Sequence, residues 1–304
     1  MLRGTALRTP LVRLHADTDA ELYLKLENLQ PIGSFKIRGA SNAIRQAARE
    51  DVAGGVVTAS MGNMAQGVAW AARDLGVPAT IVVPEGAAPT KIAAIERLGG
   101  RVVTVPFDEW WRALVESRAD GVNGLFVHPV SDERVMAGNG TIGLEILEDL
   151  RDPDLILVPC GGGGLTTGIA SAVKALRPAT RVEAVEPETA APVSAALAAG
   201  GEPQEIEFTP SFVDGAGARA LLPMVWAHAR ELLDGAHAVP LDEVAGAVRL
   251  LAERARVVAE GAGALATAAA VSSRAVGGKI VCVVAGGNID AARLAAILRG
   301  ETPS

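Results

Sequence analysis

Short runs of β-branched residues alternate with alanine-rich stretches along most of the chain, and this alternation limits the folds that the sequence can adopt. The runs resemble buried strands, and the stretches between them carry apolar residues at helical spacing. Strands that alternate with helices in this way are typical of parallel sheets with crossover helices. The sequence therefore predicts an α/β fold with open, mostly parallel, twisted sheets flanked by helices. The strands are expected at 22–27, 55–58, 79–83, 101–105, 155–158, 181–185 and 279–284.

The second, third and fourth of these strands form a compact βαβαβ series. The helices of this series are predicted at 65–75 and 90–98, and glycine follows each of them. A second series begins at Asp154, and the stretch 200–217, rich in proline and glycine, is predicted to be a long loop. A chain of 304 residues is long enough for two domains or for one large α/β domain.

The composition excludes several classes of protein. The formal net charge is −7 and no cluster of lysine and arginine occurs, so we expect neither a nucleic-acid partner nor an anionic membrane surface. No apolar run has the length of a membrane span, and the start of the chain has no long apolar region, which predicts a cytoplasmic protein. Cys160, Cys282 and the four histidines lack metal-ligand spacing, so no metal is predicted from them.

Ligands of open α/β sheets collect in the loops that follow the carboxyl ends of strands. Three such loops are rich in glycine or small polar residues, at 58–67, 159–168 and 285–290. The second contains Gly161, Gly162, Gly163 and Gly164, whose bare backbone lets a phosphate approach the start of the next helix. This loop lacks the Gly-Lys-Ser/Thr of nucleoside-triphosphate loops, and a plain tight turn is the alternative.

Lys36 lies between a turn and a predicted helix, on which Ile37, Ala40 and Ile44 recur at helical spacing. The positive end of a helix and removal from water both disfavour the ammonium form, which frees the amine as a nucleophile. The alternative is an ordinary exposed lysine in a first helical turn. An activated lysine together with a phosphate cradle suggests pyridoxal phosphate, a cofactor that carries an aldehyde and a phosphate.

A series of motifs covers nearly the whole chain, at 9–11, 24–31, 33–40, Ser60-x-Gly62-Asn63, 137–141, 161–164 and 286–288. The order of these motifs resembles the fold-type II pyridoxal-phosphate enzymes, in particular the threonine/serine dehydratase and serine racemase group. The resemblance implies a large cofactor-binding domain at 1–48 plus 133–304, a small mobile domain at 49–132, and a homodimer.

The resemblance also implies the roles of individual residues. Lys36 is expected to be the Schiff-base lysine, Phe35 to pack beside the cofactor ring, and Asn63 to bind the ring hydroxyl. Glu260 is expected near the ring nitrogen, where Ala285 replaces a serine of the family. A helix cap is the alternative role for Asn63, and a solvated or capping carboxylate is the alternative for Glu260. The four glycines are expected to hold the phosphate. The substrate carboxylate is expected to bind the loop of Ser60, Met61, Gly62, Asn63 and Met64.

Three further positions depart from the family pattern. Met61 stands where serine racemases carry a proton-donating serine, so we expect racemisation to be inefficient. Met64 replaces a histidine, which leaves the preferred substrate open. Glu186 and Ala190 match a divalent-cation site of related enzymes, but Pro192 replaces its aspartate, so we expect this site to be weak or absent.

The resemblance predicts β-elimination from L-threonine, L-serine or a related β-hydroxy amino acid, giving a 2-oxo acid and ammonia. The sequence Lys36-Ile37-Arg38-Gly39-Ala40 has the dehydratase form rather than the Lys-Asp-Arg form of cysteine and threonine synthases. The alternatives are an amino-acid racemase, a β-replacement enzyme and a catalytically weak cofactor-binding protein. The chain length leaves no room for a regulatory domain, so feedback control by a branched-chain amino acid is not expected.

Overall fold

The computed structural model describes residues 4–272, 274 and 276–304, and it confirms the predicted α/β architecture. The strands are β1 Leu11–Leu14, β2 Glu21–Lys25, β3 Val56–Ala59, β4 Ala79–Pro84, β5 Gly100–Val105, β6 Leu125–Phe126, β7 Leu155–Pro159, β8 Arg181–Pro187, β9 Gly235–Val239 and β10 Lys279–Val283. The α-helices are α1 Lys36–Gln46, α2 Arg49–Val52, α3 Asn63–Leu75, α4 Pro89–Arg97, α5 Phe107–Glu116, α6 Glu133–Asp149, α7 Gly164–Leu176, α8 Pro192–Ala198, α9 Pro223–Leu232, α10 Leu241–Leu250, α11 Gly261–Val271 and α12 Ala291–Leu298. A short 3₁₀ helix covers Glu27–Leu29, and a π-helical turn covers Leu251–Ala255.

The chain forms two compact units. The first unit contains the described residues up to Leu7 together with Gln30–Asn139, and the second contains Arg8–Leu29 and Gly140–Ser304. The boundary near the middle of the chain falls inside α6.

The first unit is built on a four-stranded sheet with the order β5-β4-β3-β6, in which all neighbours are parallel. Alanine-rich α3 contributes Ala65, Val68 and Ala69 to a core that also contains residues of α1 and of the strands. Small side chains on α3 let α1 approach it closely. This packing places the start of α1 beside the start of α3.

The second unit is built on a six-stranded sheet with the order β1-β2-β10-β7-β8-β9. Only the edge pair β1 and β2 is antiparallel within this sheet; the other neighbours are parallel. The described residues of α11 from Gly261 to Ala270 are all buried, as its uncharged alanine-rich sequence requires. Because β10 and β7 are neighbours, the loops that follow them lie at the same edge of this sheet.

The predicted strands and helices are confirmed to within a few residues, and no helix or strand occurs in the described stretch 200–222, which contains the predicted long loop. The compact units differ in extent from the predicted domains, because the described residues up to Leu7, residues 30–48 and residues 133–139 belong to the first unit. The predicted division concerns a domain that moves, and it stays a prediction. In the described part of the chain, no helix combines the length and apolar character that crossing a membrane requires.

Candidate active site

Lys36 is the first residue of α1, as predicted, and its side chain is half-buried. Its Nζ donates a hydrogen bond to the carbonyl oxygen of Pro129 over 3.0 Å and lies 5.1 Å from the centroid of the Phe35 ring. Phe35, the residue before the helix, already has helical dihedral angles and makes no side-chain cap. The amine is therefore held at the positive end of a helix, with an aromatic ring and a carbonyl beside it.

The predicted substrate loop follows β3 and opens α3. Ser60 Oγ accepts a hydrogen bond from the Gly62 backbone N–H over 3.3 Å, which tightens the turn. Gly62 occupies the cap position of α3 without a side-chain cap, so Asn63 is a helical residue and not the cap. The N–H groups of this first turn suit a carboxylate, because they carry the positive end of the helix dipole.

Gly67 holds these two features together. A Cβ atom at Gly67 would lie 3.0 Å from the carbonyl oxygen of Lys36 and 3.1 Å from its carbonyl carbon. The backbones of α1 and α3 are thus in direct contact at Lys36, one helical turn after Asn63. Within the first unit, the structure brings Lys36 and the Ser60–Asn63 turn together.

The two methionines of the loop lie differently from its polar residues. Met64 is only 2% exposed and belongs to the core of the first unit, with Ala40 and Ile44 of α1. Met61 is partly buried against the same core. Their roles in substrate binding stay predictions; the burial of Met64 indicates that it acts on the loop through packing.

The glycine loop of the second unit leads from β7 into α7. Gly163 has a φ of +85° and occupies the cap position of α7 without a side-chain cap. A Cβ atom there would lie 2.7 Å from Val225 Cγ1, and one at Gly161 would lie 3.2 Å from Ala216 Cα. The loop therefore requires glycine for both its conformation and its packing, and it presents backbone N–H groups at a helix start.

Glu260 and Ala285 are neighbours in the second unit. The Glu260 backbone N–H donates to the carbonyl oxygen of Gly286 over 3.0 Å. Ala285 is the residue before Gly286 and lies two residues after the end of β10. Glu260 is 6% exposed, and it occupies the cap position of α11 without a side-chain cap hydrogen bond. The Glu260 carboxylate is therefore neither exposed to solvent nor a side-chain cap of α11.

The topology also assembles these predicted residues within the second unit. The glycine loop follows β7 and Ala285 follows β10, and these two strands are neighbours in parallel register. Gly161, Gly162, Gly163, Gly164 and Ala285 therefore lie at one edge of the sheet, and Glu260 is attached to the same edge through Gly286.

The sequence analysis did not single out His128, and it considered Glu186 only as part of a cation site. His128 is 5% exposed, and its Nδ1 accepts hydrogen bonds from the backbone N–H groups of Val130 and Ser131. Burial, with the nearby charge of Lys36, lowers the pKa of His128 to about 4, although Asp132 and the backbone of Leu114 act in the opposite direction. Its position just after a strand was not visible in the sequence, because β6, which precedes it, was not predicted.

Glu186 is completely buried at the end of β8. Its carboxylate accepts hydrogen bonds from the Val193 N–H over 2.9 Å and from the Ser194 N–H and hydroxyl over 2.8 Å each. Burial raises the pKa of this carboxyl, and the hydrogen bonds oppose the rise. Among the described residues, no cluster of three or more histidine, cysteine, aspartate or glutamate side chains could hold a metal ion.

Comparison with known proteins decides the family. Residues 2–286 match the family described as pyridoxal-phosphate dependent enzyme. The chain belongs to this family. It is 43% identical to an L-threonine ammonia-lyase of Thermotoga maritima over 276 residues, which are 90% of this chain and 68% of the relative. An L-threonine ammonia-lyase of Geobacter sulfurreducens is 41% identical over 98% of this chain and 75% of its own length.

Solved structures agree with this membership in a pyridoxal-phosphate family. The processed form of threonine deaminase isoform 2 from Solanum lycopersicum has a TM-score of 0.89 and 34% identity, over 97% of this chain and 88% of its own. Maize serine racemase has a TM-score of 0.88 and 32% identity, over 98% of this chain and 93% of its own. The predicted family, fold type and cofactor are confirmed.

The residues present fit pyridoxal phosphate. The uncapped start of α7 and its glycine loop suit the phosphate, and the buried hydroxyl of Thr167 in the same helix has no hydrogen-bond partner among the described residues. The second unit therefore offers a phosphate cradle of the required chemistry. In the first unit, Lys36 offers the amine that the cofactor aldehyde requires.

Proposed function

We propose that this chain is a pyridoxal-phosphate-dependent ammonia-lyase, which converts L-threonine, L-serine or a related β-hydroxy amino acid to a 2-oxo acid and ammonia. The observation that carries this proposal is the agreement among its relatives: proteins that are 38–43% identical over 90% or more of this chain are named L-threonine ammonia-lyase or L-threonine dehydratase. L-threonine, the substrate in those names, is itself a β-hydroxy amino acid and belongs to the substrate class proposed here.

The geometry of the first unit supports a base and a carboxylate site side by side. We assign the substrate carboxylate to the start of α3, where the N–H groups of the first turn and Ser60 Oγ provide donors. Lys36 Nζ lies at the start of the adjoining helix and removes the α-proton as general base. When bound, pyridoxal phosphate links to amines through its aldehyde and accepts the electrons of the broken C–H bond.

The residues of the second unit serve the cofactor in this proposal. Gly161 to Gly164 and the start of α7 hold the phosphate, and Glu260 lies beside the segment that carries Ala285. Asn63 and Phe35 are assigned to the ring hydroxyl and the ring face. Ala285 offers no hydroxyl to the ring nitrogen, which suits an elimination, because the leaving hydroxide removes the electrons promptly.

Racemisation is the alternative activity, since serine racemases are among the similar structures. A racemase must return a proton to the opposite face of the α-carbon. Met61, which stands where those enzymes carry a serine, has a thioether that holds no proton. We therefore expect 2-oxo acid release without accumulation of the opposite enantiomer, which chiral chromatography of the remaining amino acid measures.

The decisive experiment supplies L-threonine, L-serine, D-serine and bulkier β-hydroxy amino acids separately to the cofactor-loaded protein and follows 2-oxo acid. Lys36→Ala is expected to fold normally but to lose both activity and the visible absorbance of the lysine-bound cofactor. Lys91→Ala, in α4 of the same unit, is the matched control. Full activity of Lys36→Ala would refute the assignment of the base.

We also propose that the protein acts in the cytoplasm as a homodimer. Cys160 and Cys282 are free and buried, as suits a reducing compartment, and burial raises the pKa of the Cys282 thiol to about 12. Leu29 and Val258 of the second unit are exposed apolar residues, and Asn28 Nδ2 donates to the Val258 carbonyl beside them. Sedimentation of Leu29→Glu against the wild type tests the dimer.

A further inference from the structure

The turn at His128–Ser131, here named the histidine turn, is organised by one imidazole nitrogen. His128 Nδ1 accepts hydrogen bonds from the Val130 N–H over 3.1 Å and from the Ser131 N–H over 2.9 Å. Both donors are backbone amides, so Nδ1 carries no proton and the ring is the neutral Nε2–H tautomer. The side chain is 5% exposed, so water does not replace these bonds.

The histidine turn carries the acceptor of the Lys36 amine. Pro129, which lies between His128 and the amides that His128 binds, accepts the hydrogen bond from Lys36 Nζ over 3.0 Å. Proline fixes its own φ, which stiffens the segment that bears this carbonyl. The position of the Pro129 oxygen therefore depends on the hydrogen bonds that His128 accepts.

The histidine turn is also tied to the strand that leads into the substrate loop. The Val127 N–H donates to the Val57 carbonyl, and Thr58 Oγ1 donates to the Val127 carbonyl, each over 2.8 Å. Val57 and Thr58 belong to β3, which ends just before Ser60. The acceptor of the lysine amine and the loop assigned to the substrate carboxylate are thus fixed to one strand of the first unit.

We propose that His128 is a positioning residue for Lys36: by accepting two backbone hydrogen bonds it holds the Pro129 carbonyl where that carbonyl orients the lysine amine. An amine that donates one N–H to a fixed carbonyl has its lone pair directed away from that carbonyl. Once Lys36 has taken the α-proton it is an ammonium, and its hydrogen bond to Pro129 becomes charge-assisted and stronger. The proposal rests on the proposed function, because it takes Lys36 as the base.

Two substitutions separate the acceptor role of His128 from its packing. His128→Leu keeps most of the buried volume but removes the acceptor. His128→Asn loses volume but keeps an acceptor, since an asparagine side-chain oxygen commonly accepts from the amide two residues ahead. His128→Ala loses more volume than His128→Asn and lacks the acceptor, and exposed His228→Leu is the control outside the site.

We expect His128→Leu to lower kcat by about 10- to 100-fold with KM within about threefold, because a misplaced base slows the proton transfer and not the binding. The primary isotope effect on kcat with α-deuterated substrate should rise in the same variant. His128→Asn should keep kcat and the isotope effect near those of the wild type. If His128→Leu does not fold, His128→Asn against His128→Ala compares a variant that keeps an acceptor with one that lacks it.

Wild-type kcat and isotope effect in His128→Leu would overturn the proposal. A loss in His128→Asn as large as that in His128→Leu would also overturn it, since the acceptor would then be irrelevant. A wild type that releases no 2-oxo acid would instead refute the proposed function.

The positioning of Lys36 is then measured without turnover. Cofactor-free protein is mixed with pyridoxal phosphate and reduced with borohydride at intervals, and mass spectrometry measures the fraction of the Lys36 peptide that carries the cofactor. Slower labelling in His128→Leu than in His128→Asn supports the role, and equal labelling refutes it.

Discussion

His128 is buried in a form that cannot bind a proton without breaking its hydrogen bonds. Its pKa is lowered from 6.5 to about 4 by burial first and by the charge of Lys36 second. The unfolded chain therefore binds more protons than the folded one between these values, and the free energy of unfolding falls as the pH falls from about 6.5 to 4. At about 1.4 kcal/mol per pH unit, the loss approaches about 3 kcal/mol. Urea unfolding of the cofactor-free wild type and of His128→Asn over this pH range measures it. A wild-type-minus-variant difference that is independent of pH would contradict it.

Gly163 combines a left-handed backbone with a crowded side. Its φ is +85°, and a Cβ atom would lie 2.7 Å from Val225 Cγ1. Gly163→Ala should lower the stability of the second unit by more than the ~1–2 kcal/mol that a left-handed conformation alone costs a non-glycine residue, and it should weaken cofactor binding. Gly200→Ala is the control, because Gly200 has a φ of +75° with nothing within 4 Å. Thermal unfolding and cofactor titration of both variants test this, and equal losses would show that the contact with Val225 is unimportant.

Sequence reasoning found Lys36 and the glycine loop because their residue types are unusual where they stand: a lysine at a helix start and four consecutive glycines. It did not single out His128 and did not predict the amide partners of Glu186, because both side chains are held by backbone N–H groups that become neighbours only in the fold. A backbone N–H donor does not depend on the type of residue that carries it, so such partners cannot be recognised from the sequence. Met64 was assigned to substrate binding as a loop residue, and that role stays a prediction; the burial of its side chain in the core was not predicted.

The packing of helix α1 against helix α3 determines the position of Lys36. Gly67→Ala would put a methyl group 3.0 Å from the Lys36 carbonyl oxygen and 3.3 Å from Ala40 Cβ. Since the first neighbour is backbone, the helices must separate, which costs about 1–3 kcal/mol and moves the base. We expect a lower kcat together with a lower melting temperature.

Gly246→Ala is the matched control for Gly67→Ala. Gly246 lies inside α10 and has nothing within 4 Å of its Cβ position. The same substitution there should stabilise the protein by up to about 1 kcal/mol through helix propensity, with unchanged kcat. If both variants behave alike, the close contact of α1 and α3 does not control the position of Lys36.

The start of α8 uses Glu186 in a way that competes with cation binding. Val193 and Ser194 donate three hydrogen bonds to its carboxylate, and Pro192 contributes no ligand atom in its side chain. We therefore expect Mg²⁺, Mn²⁺ and Ca²⁺ to leave both the melting temperature and kcat unchanged, apart from ionic-strength effects matched with Na⁺. A saturable rise in either quantity would show that Glu186 exchanges its amide partners for a metal.

The strands that the sequence did not predict share one property. β1, β6 and β9 each lie at the end of a sheet, where one side has no neighbour. These three edge strands lack the continuous β-branched run by which the other strands were found, whereas β5, also at an edge, has the run Val-Val-Thr-Val and was predicted. β9, with the sequence Gly-Ala-His-Ala-Val, is extended because it pairs with β8 and not because of its own residues.

Helix α6 belongs to both compact units of the molecule. Its residues up to Asn139 pack within the first unit, and those from Gly140 onward pack within the second. A Cβ atom at Gly138 would lie 2.5 Å from the Arg38 carbonyl oxygen, inside the first unit. One at Gly143 would lie 3.1 Å from the Ile169 carbonyl oxygen, inside the second. The resemblance places residues 133–149 wholly in the large domain, and this division stays a prediction; a motif in a sequence does not show which helix its glycines touch.

These two glycines allow the independence of the units to be measured. If each unit opens on its own, Gly138→Ala should accelerate amide hydrogen exchange within Gln30–Asn139 and leave the strands of the six-stranded sheet protected. Gly143→Ala should do the reverse. Local opening follows the contacts that a substitution breaks, so the exchange pattern reports which residues form one cooperative body. Equal acceleration in both units by either variant would mean that the chain opens as one body, and a mobile small domain would then lose its physical basis.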